Sequence, residues 1–338
     1  MAHPIWKDYI LEYGADRVEF SISYNNGIIY EGKAVTRPGE SSVFVKINDI
    51  CADYMRSAFP SIFPTTGGVA QPYVYTFQVS ATLYVGDVID STERNDVDFF
   101  YDWSYDYARD YSTPLLSAPI LRKIPRNAPL VYTSVEGNSH IEITAPGAYS
   151  RAFDSAFYIG NSNVLPATSV ANNVFNLAEI ATATDKQVLV YGGDGVVPIA
   201  YELIDECPRY MLYYLNALGG WDFLAIQGKE LQTDSYTRHT IGQTYDNTQS
   251  RNRGLRNYRN DISRKWQLHT LWIDDAGAQN MHHLLGSTDV YLYDLRDEVL
   301  YPVNIDNSTC DYRTYSNNGN QLVRYDIEVS LAKTLTRR

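Results

Sequence analysis

The stretch from residue 207 to 228 constrains the fold most, because it reads as a complete β-hairpin. Two apolar arms, at 210–216 and 221–226, flank the pair Gly219-Gly220. Tyrosine and leucine favour a pleated, half-buried surface, and glycine supplies the backbone freedom that a chain reversal needs. Pro208 has no N–H to give to a ladder, so it suits the start of the first arm. The sequence therefore predicts a hairpin here, with other strands built outward from it.

Short alternating runs separated by turn residues recur along the other parts of the 338-residue chain. Asn25-Asn26-Gly27 is a hairpin turn signal between two such runs. Residues 130–135 and 140–144 are expected to pair with each other. Further strands are predicted at 18–24, 28–35, 42–47, 73–85, 187–191, 196–203, 266–273, 290–295, 299–306, 310–315 and 322–331.

Helical signals are few. A short helix is predicted at 50–58, which Pro60 would end, and another at 276–285, which Asp274-Asp275 would cap and Gly286 would close. We therefore expect a mainly β protein made of several antiparallel β-sandwich or barrel-like domains in series, with two short helices.

A cluster of prolines marks the best domain boundary, since proline resists both helix and central strand: Pro114, Pro119, Pro125 and Pro129. At roughly 100–200 residues per domain, two or three domains are expected. We predict an N-terminal β domain at 1–112 and a middle β domain with long loops at 113–205. The C-terminal β domain at 206–338 would carry one short helix, at 275–285.

The net charge of −12 argues against a broad nucleic-acid-binding face, which needs clustered lysine and arginine. The segment 229–265 is a local basic exception, in which arginines alternate with tyrosines. Such a segment could grip single-stranded nucleic acid by charge and stacking. An exposed strand or loop that meets an acidic neighbour is favoured, because the overall negative field opposes a polyanion.

Three other segments were weighed as ligand sites and favour a structural interpretation. The acidic and aromatic segment 87–110 lacks the glycine and glutamate spacing of an EF-hand, so a solvated strand with an aromatic inner face is expected. The glycine cluster at 192–195 lacks a following Lys-Ser/Thr, so a hairpin turn between strands 187–191 and 196–203 is expected. His282-His283 cannot share one ion as neighbours on a helix. No metal and no cofactor are expected.

Catalytic motifs are not found in the sequence, so the chain is predicted not to be an enzyme. A pair of carboxylates that cleaves glycans stays open, because it is defined by separation in space. Cys51, Cys207 and Cys310 lie far apart and are expected to be reduced thiols. Neither a membrane-spanning apolar run nor a secretion signal is visible, so we expect no membrane insertion. We expect the protein to be made and assembled in a cytoplasm.

Three carboxy-terminal segments form one arrangement in chain order, a tyrosine-rich hairpin ending in Asn-x-x-Gly-Gly-Trp-Asp, then a strand, a short helix and a closing strand pair. An opening segment with Tyr-x-Gly, Pro-Gly and Ile-Asn-x-Ile belongs with them. The four segments are YMLYYLNALGGWDFLAIQG (210–228), WQLHTLWIDDAGAQNMHHLLGSTDVYLYD (266–294), YPVNIDNSTCDYRTYSNNGNQLVRYDIEVSLAK (301–333) and, at the opening, IIYEGKAVTRPGESSVFVKINDICADYM (28–55). Together they resemble the tail proteins of bacteriophages and prophages of Bacteroides-like bacteria. The shared motifs are structural, and no catalytic or binding residue transfers.

This resemblance implies a virion component near the tail tip, similar to distal-tail or baseplate proteins, which form rings of identical copies. Its partners would be copies of itself and other tail proteins, assembled in the host bacterial cytoplasm. Basic and acidic segments of neighbouring copies are then expected to meet, with rim ion pairs that set register more than affinity. The candidate contact residues are Arg251, Arg253, Arg256, Asp98, Asp102 and Asp106.

A carbohydrate-binding β-sandwich module, free or on a tail, is the alternative function. Tryptophan and tyrosine on the rim of a sandwich can stack on sugar rings, and Trp103 is the aromatic residue singled out for this role. That alternative predicts saturable glycan binding, whereas the tail assembly predicts large homomeric species.

Overall fold

The computed structural model describes residues 3–4, 9–55, 59–60, 63, 68–72, 74–100, 122–134, 140–144, 151–154, 156–157, 171–191, 198–205, 208–242, 255–270, 273, 281–307 and 324–337. Strands dominate these residues, most of them antiparallel, and the helices are short, which confirms the predicted fold class.

The strands of the first half are β1 (His3–Pro4), β2 (Ile10–Tyr13), β3 (Arg17–Tyr24), β4 (Gly27–Val35), β5 (Val43–Lys46), β6 (Gly68–Pro72), β7 (Tyr75–Val85), β8 (Val88–Phe100), β9 (Arg122–Pro125), β10 (Pro129–Ser134), β11 (His140–Thr144), β12 (Arg151–Asp154) and β13 (Ala156–Phe157). Those of the second half are β14 (Ala171–Asn176), β15 (Gln187–Tyr191), β16 (Ile199–Ile204), β17 (Tyr210–Leu215), β18 (Trp221–Ile226), β19 (Glu230–Gly242), β20 (Leu255–His269), β21 (Val290–Asp294), β22 (Val299–Ile305), β23 (Asp326–Leu331) and β24 (Leu335–Arg337).

Two short helices are α1 (Asn48–Ala52) and α2 (Leu177–Ile180), and residues 281–285 are also helical. The helix predicted at 50–58 therefore begins earlier, as α1, and of the one predicted at 276–285 only the last turn lies within the described residues. The sequence did not predict α2. Its N-cap is Asn176, whose side-chain oxygen accepts a hydrogen bond from the Ala178 N–H at 3.2 Å.

The chain divides into two compact units. The first comprises residues 1–121, 126–203 and 216–222, and the second comprises 122–125, 204–215 and 223–338. The division into three domains at 1–112, 113–205 and 206–338 stays a prediction.

The N-terminal part of the first unit is a five-stranded sheet in the order β1-β8-β7-β3-β4, with a β2-β5 pair nearby in the sequence. Alternation along β7 buries every second side chain, including Phe77 and Val79 at 0% exposure. These side chains join a core that also contains Ile47 and Cys51 from the α1 region. Asn25 and Asn26 have φ values of 50° and 64°, as a two-residue hairpin turn requires, which confirms the predicted hairpin.

The middle of the first unit contains a sheet in the order β10-β14-β6-β13 and the neighbouring strands β12-β11-β15-β16 of another. Strands β15 and β16 pair antiparallel, as predicted for the strands on either side of the glycine cluster, and residues 192–195 themselves lie outside the described residues. The predicted pairing of β10 with β11 is wrong, because β10 pairs with β14 whereas β11 pairs with β12 and β15. The burial patterns give the reason. All six residues of β10 are buried, as in a strand covered on both faces, whereas β11 alternates.

The second unit is built on an eight-stranded sheet in the order β18-β17-β21-β22-β23-β20-β19, with β24 also paired to β20. The adjacency of β17 and β18 confirms the predicted hairpin. All six residues of β17 are buried, and the core beside it includes Leu212, Trp266 and Leu292. This sheet ends at β19, where the candidate surface lies.

Candidate assembly surface

Strands β19 and β20 form a long antiparallel ribbon. The pairing runs from Glu230 opposite Leu268 to Gly242 opposite Leu255, with an irregularity at His239/Thr240. Besides β19, only the C-terminal part of β20 has paired strands, β23 at residues 265–269 and β24 at residues 260–262. Among the described residues, the far end of the ribbon is therefore two strands wide. A two-stranded hairpin alone is marginally stable in water, so this end is a surface that a partner would stabilise.

The ribbon exposes large apolar side chains on both of its faces. Five of them are between 49% and 69% exposed: Leu231, Tyr236, Ile241, Leu255 and Tyr258. Single exposed apolar residues are ordinary on a protein surface, but a concentration of them on one element marks an interaction surface.

Several cations of the Arg-rich segment are neutralised inside the same unit. Arg264 donates from Nε and Nη2 to the two oxygens of Asp234, at 2.8 and 3.0 Å. This hydrogen bonding lowers the pKa of Asp234 and raises the pKa of Arg264. Lys265 pairs with Asp306 at 2.8 Å. A further cluster joins Arg259 and His239 to the carboxylate of Asp261, at 2.7 and 2.9 Å.

Arg238 and Arg256 are the exposed arginines left on the ribbon. Within the described part of the chain, neither makes an ion pair, and Arg256 lies opposite Ile241 in the ladder. The nucleic-acid interpretation is weakened, because Arg259, Arg264 and Lys265 already have carboxylate partners.

The six candidate contact residues are placed only in part. Asp98 lies on β8, half-buried, and accepts a hydrogen bond from the Thr76 hydroxyl at 2.7 Å. Arg256 is exposed on β20. Arg251, Arg253, Asp102 and Asp106 lie outside the described residues, so their contact stays a prediction.

The segment predicted to be a solvated acidic strand is β8 as far as residue 100. Val97 and Phe99 are buried on its inner face, whereas Asp90 and Asp96 are exposed. Asp96 accepts a hydrogen bond from Gln78 on β7 at 2.9 Å. The described half of the segment therefore agrees with a strand and not with a calcium loop.

The Asn-x-x-Gly-Gly-Trp-Asp motif forms a closed polar turn, which we call the turn lock (216–222). The Asn216 side-chain oxygen accepts hydrogen bonds from the N–H groups of Leu218 and Gly220, at 2.8 and 3.0 Å. Its amide nitrogen donates to the Asp222 carboxylate at 2.7 Å. Gly219 has φ of 83°, a left-handed conformation that favours glycine.

A buried polar chain continues from the turn lock to β10 and β14 in the same unit. The Trp221 backbone N–H donates to the Thr133 hydroxyl at 3.0 Å, and that hydroxyl donates to Asn172 at 2.7 Å. Nearby, Asn173 donates to Ser134 at 2.9 Å. The Trp221 ring, 0% exposed, meets Phe59 edge to face at 4.9 Å. A polar network that is bonded in this way specifies one arrangement of a core.

An ion pair in the second unit, between the exposed Arg209 and the buried Asp294, was missed by sequence reasoning. Asp294 is 2% exposed, and Arg209 donates to one of its oxygens from Nε and Nη2, both at 3.1 Å. Its other oxygen accepts the N–H groups of Arg296 and Asp297, at 3.0 and 3.2 Å. Hydrogen bonding to Asp294 raises the pKa of Arg209. Only the pairing of β17 with β21 brings these residues together, so local sequence carries no signal for it.

Among the cysteines, the described one is a buried thiol. Burial raises the pKa of Cys51 to about 12, which leaves it protonated and unreactive near neutral pH. Cys207 and Cys310 lie outside the described residues. Within the described ranges, no three His, Cys, Asp or Glu side chains are grouped to hold a metal ion. The helices in those ranges are all too short and polar to cross a membrane.

The chain matches no protein-family model, and no curated protein matches its sequence.

Proposed function

We propose that this protein is a structural subunit of a bacteriophage-type tail, part of the tail tip or baseplate, that works by assembling with copies of itself. The observation that carries the proposal is the β19–β20 ribbon, a long exposed element with apolar side chains on both faces. Exposed apolar residues on a sheet edge favour contact with another protein chain over a small ligand.

The turn lock supports a structural role for the segments that resemble tail proteins. Its polar side chains are consumed by bonds within the chain, since Asn216 and Asp222 are each 1% exposed and bonded to each other. Groups held in this way fix a hairpin and are not presented to a substrate. The resemblance and the turn lock therefore both support a building part, and we propose that the chain is no enzyme.

The glycan-binding alternative has no support from the described tryptophans. Trp221 and Trp266 are 0% and 2% exposed, so neither can stack on a sugar ring. Trp103 lies outside the described residues. We therefore keep homomeric assembly as the proposed function, and glycan binding becomes an outcome that its test can report.

Negative-stain electron microscopy of the purified protein tests the proposal, together with a glycan array. The expected result is ring-shaped particles of several copies and no saturable glycan signal. Dispersed particles of single-chain size at every concentration would overturn the proposal, and so would glycan binding by a monomer.

A further inference from the structure

Strand β19 leaves its outer edge open. It is the last strand of the eight-stranded sheet and runs for 13 residues, and no described residue pairs with its outer side. Natural edge strands are usually short, or carry proline or lysine that discourages pairing. The β19 sequence ELQTDSYTRHTIG contains neither. With respect to the described residues, its outer backbone groups are therefore available to pair with one more strand.

The side chains of β19 are complementary to the same strand turned around. When two copies pair antiparallel about Tyr236, Leu231 of one copy lies opposite Ile241 of the other. In the same register Asp234 lies opposite Arg238, and Tyr236 meets its own counterpart. Apolar, oppositely charged and aromatic pairs each stabilise an antiparallel ladder. The three apolar side chains are exposed: Leu231 49%, Tyr236 59% and Ile241 52%.

This register is distinguished from its neighbours. Centring the pair on Ser235 would place Asp234 opposite Tyr236 and Leu231 opposite His239. Centring it on Thr237 would place Arg238 opposite Tyr236 and leave Leu231 beyond the ladder. Both alternative registers separate Asp234 from Arg238 and Leu231 from Ile241.

The charge pair is available although Asp234 already binds Arg264. A carboxylate offers about four acceptor positions, and Arg264 uses one on each oxygen. Arg238 has no ion-pair partner among the described residues and lies on the same face of β19 as Asp234, two strand repeats away. It can therefore reach the Asp234 carboxylate of a second copy.

We propose that two copies of this chain associate through β19, edge to edge and antiparallel, with the two-fold axis at Tyr236. The contact is isologous, so it closes at two copies and joins two eight-stranded sheets into one. It goes beyond the proposed tail function, because a ring requires a separate head-to-tail contact. It rests on β19 alone.

Cysteine cross-linking tests the axis directly. Only a residue on a two-fold axis meets its own counterpart, and antiparallel neighbours have Cα atoms about 4.5–5.5 Å apart, within disulfide range. The Tyr236→Cys variant is expected to form a covalent dimer under mild oxidation, at least about tenfold faster than Leu231→Cys. The double variant Leu231→Cys/Ile241→Cys is expected to cross-link as well. The unsubstituted chain, with its three native cysteines, gives the background.

A charge variant tests the register by a second measurement. Arg238→Glu places like charges opposite each other twice across the axis, so the dimer dissociation constant is expected to rise about tenfold or more. Arg37→Glu makes the same charge change at an exposed position outside β19 and β20, and is expected to leave the dimer unchanged. Sedimentation velocity over a concentration series measures both.

The outcomes separate this inference from the proposed function. Equal cross-linking by Tyr236→Cys and Leu231→Cys overturns the β19 contact, whatever larger particles form. Specific cross-linking at position 236 without any species beyond a dimer supports the β19 contact and overturns the ring.

Discussion

At the scale of single residues, a few buried polar side chains stabilise turns by hydrogen bonds to the backbone of the same turn. Asn216 holds two backbone N–H groups and the Asp222 carboxylate with one side chain. Because Asn216, Gly220 and Asp222 are buried, removing the amide takes a hydrogen bond from groups that are shielded from water. Replacing Asn216 should therefore lower the free energy of unfolding by more than a substitution on the surface does.

Replacement of Asn216 by alanine should destabilise the protein by about 2–4 kcal/mol, since buried donors and a buried carboxylate lose their partner. Urea unfolding followed by tryptophan fluorescence measures the loss. Asn257→Ala, on the exposed part of β20, is the matched control and should change stability by less than about 0.5 kcal/mol. Equal effects of the two substitutions would refute the role of the turn lock.

Gly228 is a second sensitive residue, at the junction of β18 and β19. Its N–H donates to the His269 carbonyl at 3.0 Å, and a Cβ atom there would overlap that same carbonyl oxygen. Because the overlap is with backbone, Gly228→Ala should cost about 2 kcal/mol or more. Gly242→Ala, where a Cβ atom meets nothing within 4 Å, is the control and should be nearly neutral. Thermal midpoints of both variants check this expectation.

At the scale of elements, the β19–β20 ribbon combines an exposed edge with internal ion pairs that keep its two strands in register. The Asp234–Arg264 pair is the best formed of these, with two hydrogen bonds in a fork. It spans directly opposite residues of the ladder. The Asp234–Arg264 pair therefore stabilises the pairing of β19 with β20.

This pair makes the ribbon sensitive to acid. The hydrogen bonds from Arg264 hold the pKa of Asp234 below its usual value, so the unfolded chain binds this proton more readily than the folded chain. The stabilisation is present above the unfolded pKa and is lost as the pH falls through the folded one. Between about pH 6 and about pH 3, the parent should therefore lose more stability than Asp234→Asn. Urea midpoints across this range, with Asp90→Asn as control, measure the difference. A parallel fall in parent and Asp234→Asn would contradict the assignment.

The sequence predicted individual strands and hairpins better than it predicted which strands pair. The hairpins at Asn25-Asn26 and Gly219-Gly220 could be predicted because turn chemistry is local, and β7 because alternation is local. The separation of β10 from β11 could not, since it depends on β14, which lies far along the chain. The Arg209–Asp294 pair was missed for the same reason. Of the candidate site, the acidic strand and the exposed basic segment were predicted, whereas the internal ion pairs of the ribbon required the register of β19 on β20.

At the scale of the whole molecule, charge is distributed unevenly. The chain carries −12 overall, yet residues 230–269 contain seven basic and four acidic residues. A basic segment on an acidic protein favours contact between different surfaces of identical copies, and it would orient them as they meet. This is the charge pattern that the proposed ring contact uses.

Reversal of Arg251, Arg253 and Arg256 to glutamate should weaken the assembly without unfolding the protein. The proposed contacts are rim ion pairs, so the expected effect is a shift of the assembly midpoint to about tenfold higher concentration. A triple reversal of the exposed residues Arg37, Lys123 and Lys333 changes the net charge equally and is the control. Circular dichroism establishes that both variants are folded. Particles of unchanged mass in the first variant would count against the contact.

The central claim is that this chain functions as a self-assembling building part, and its mass in solution tests that claim most directly. Multi-angle light scattering on the eluting protein should give an integral multiple of 38.4 kDa that approaches a fixed copy number as concentration rises. A mass of 38.4 kDa at every concentration would contradict the account.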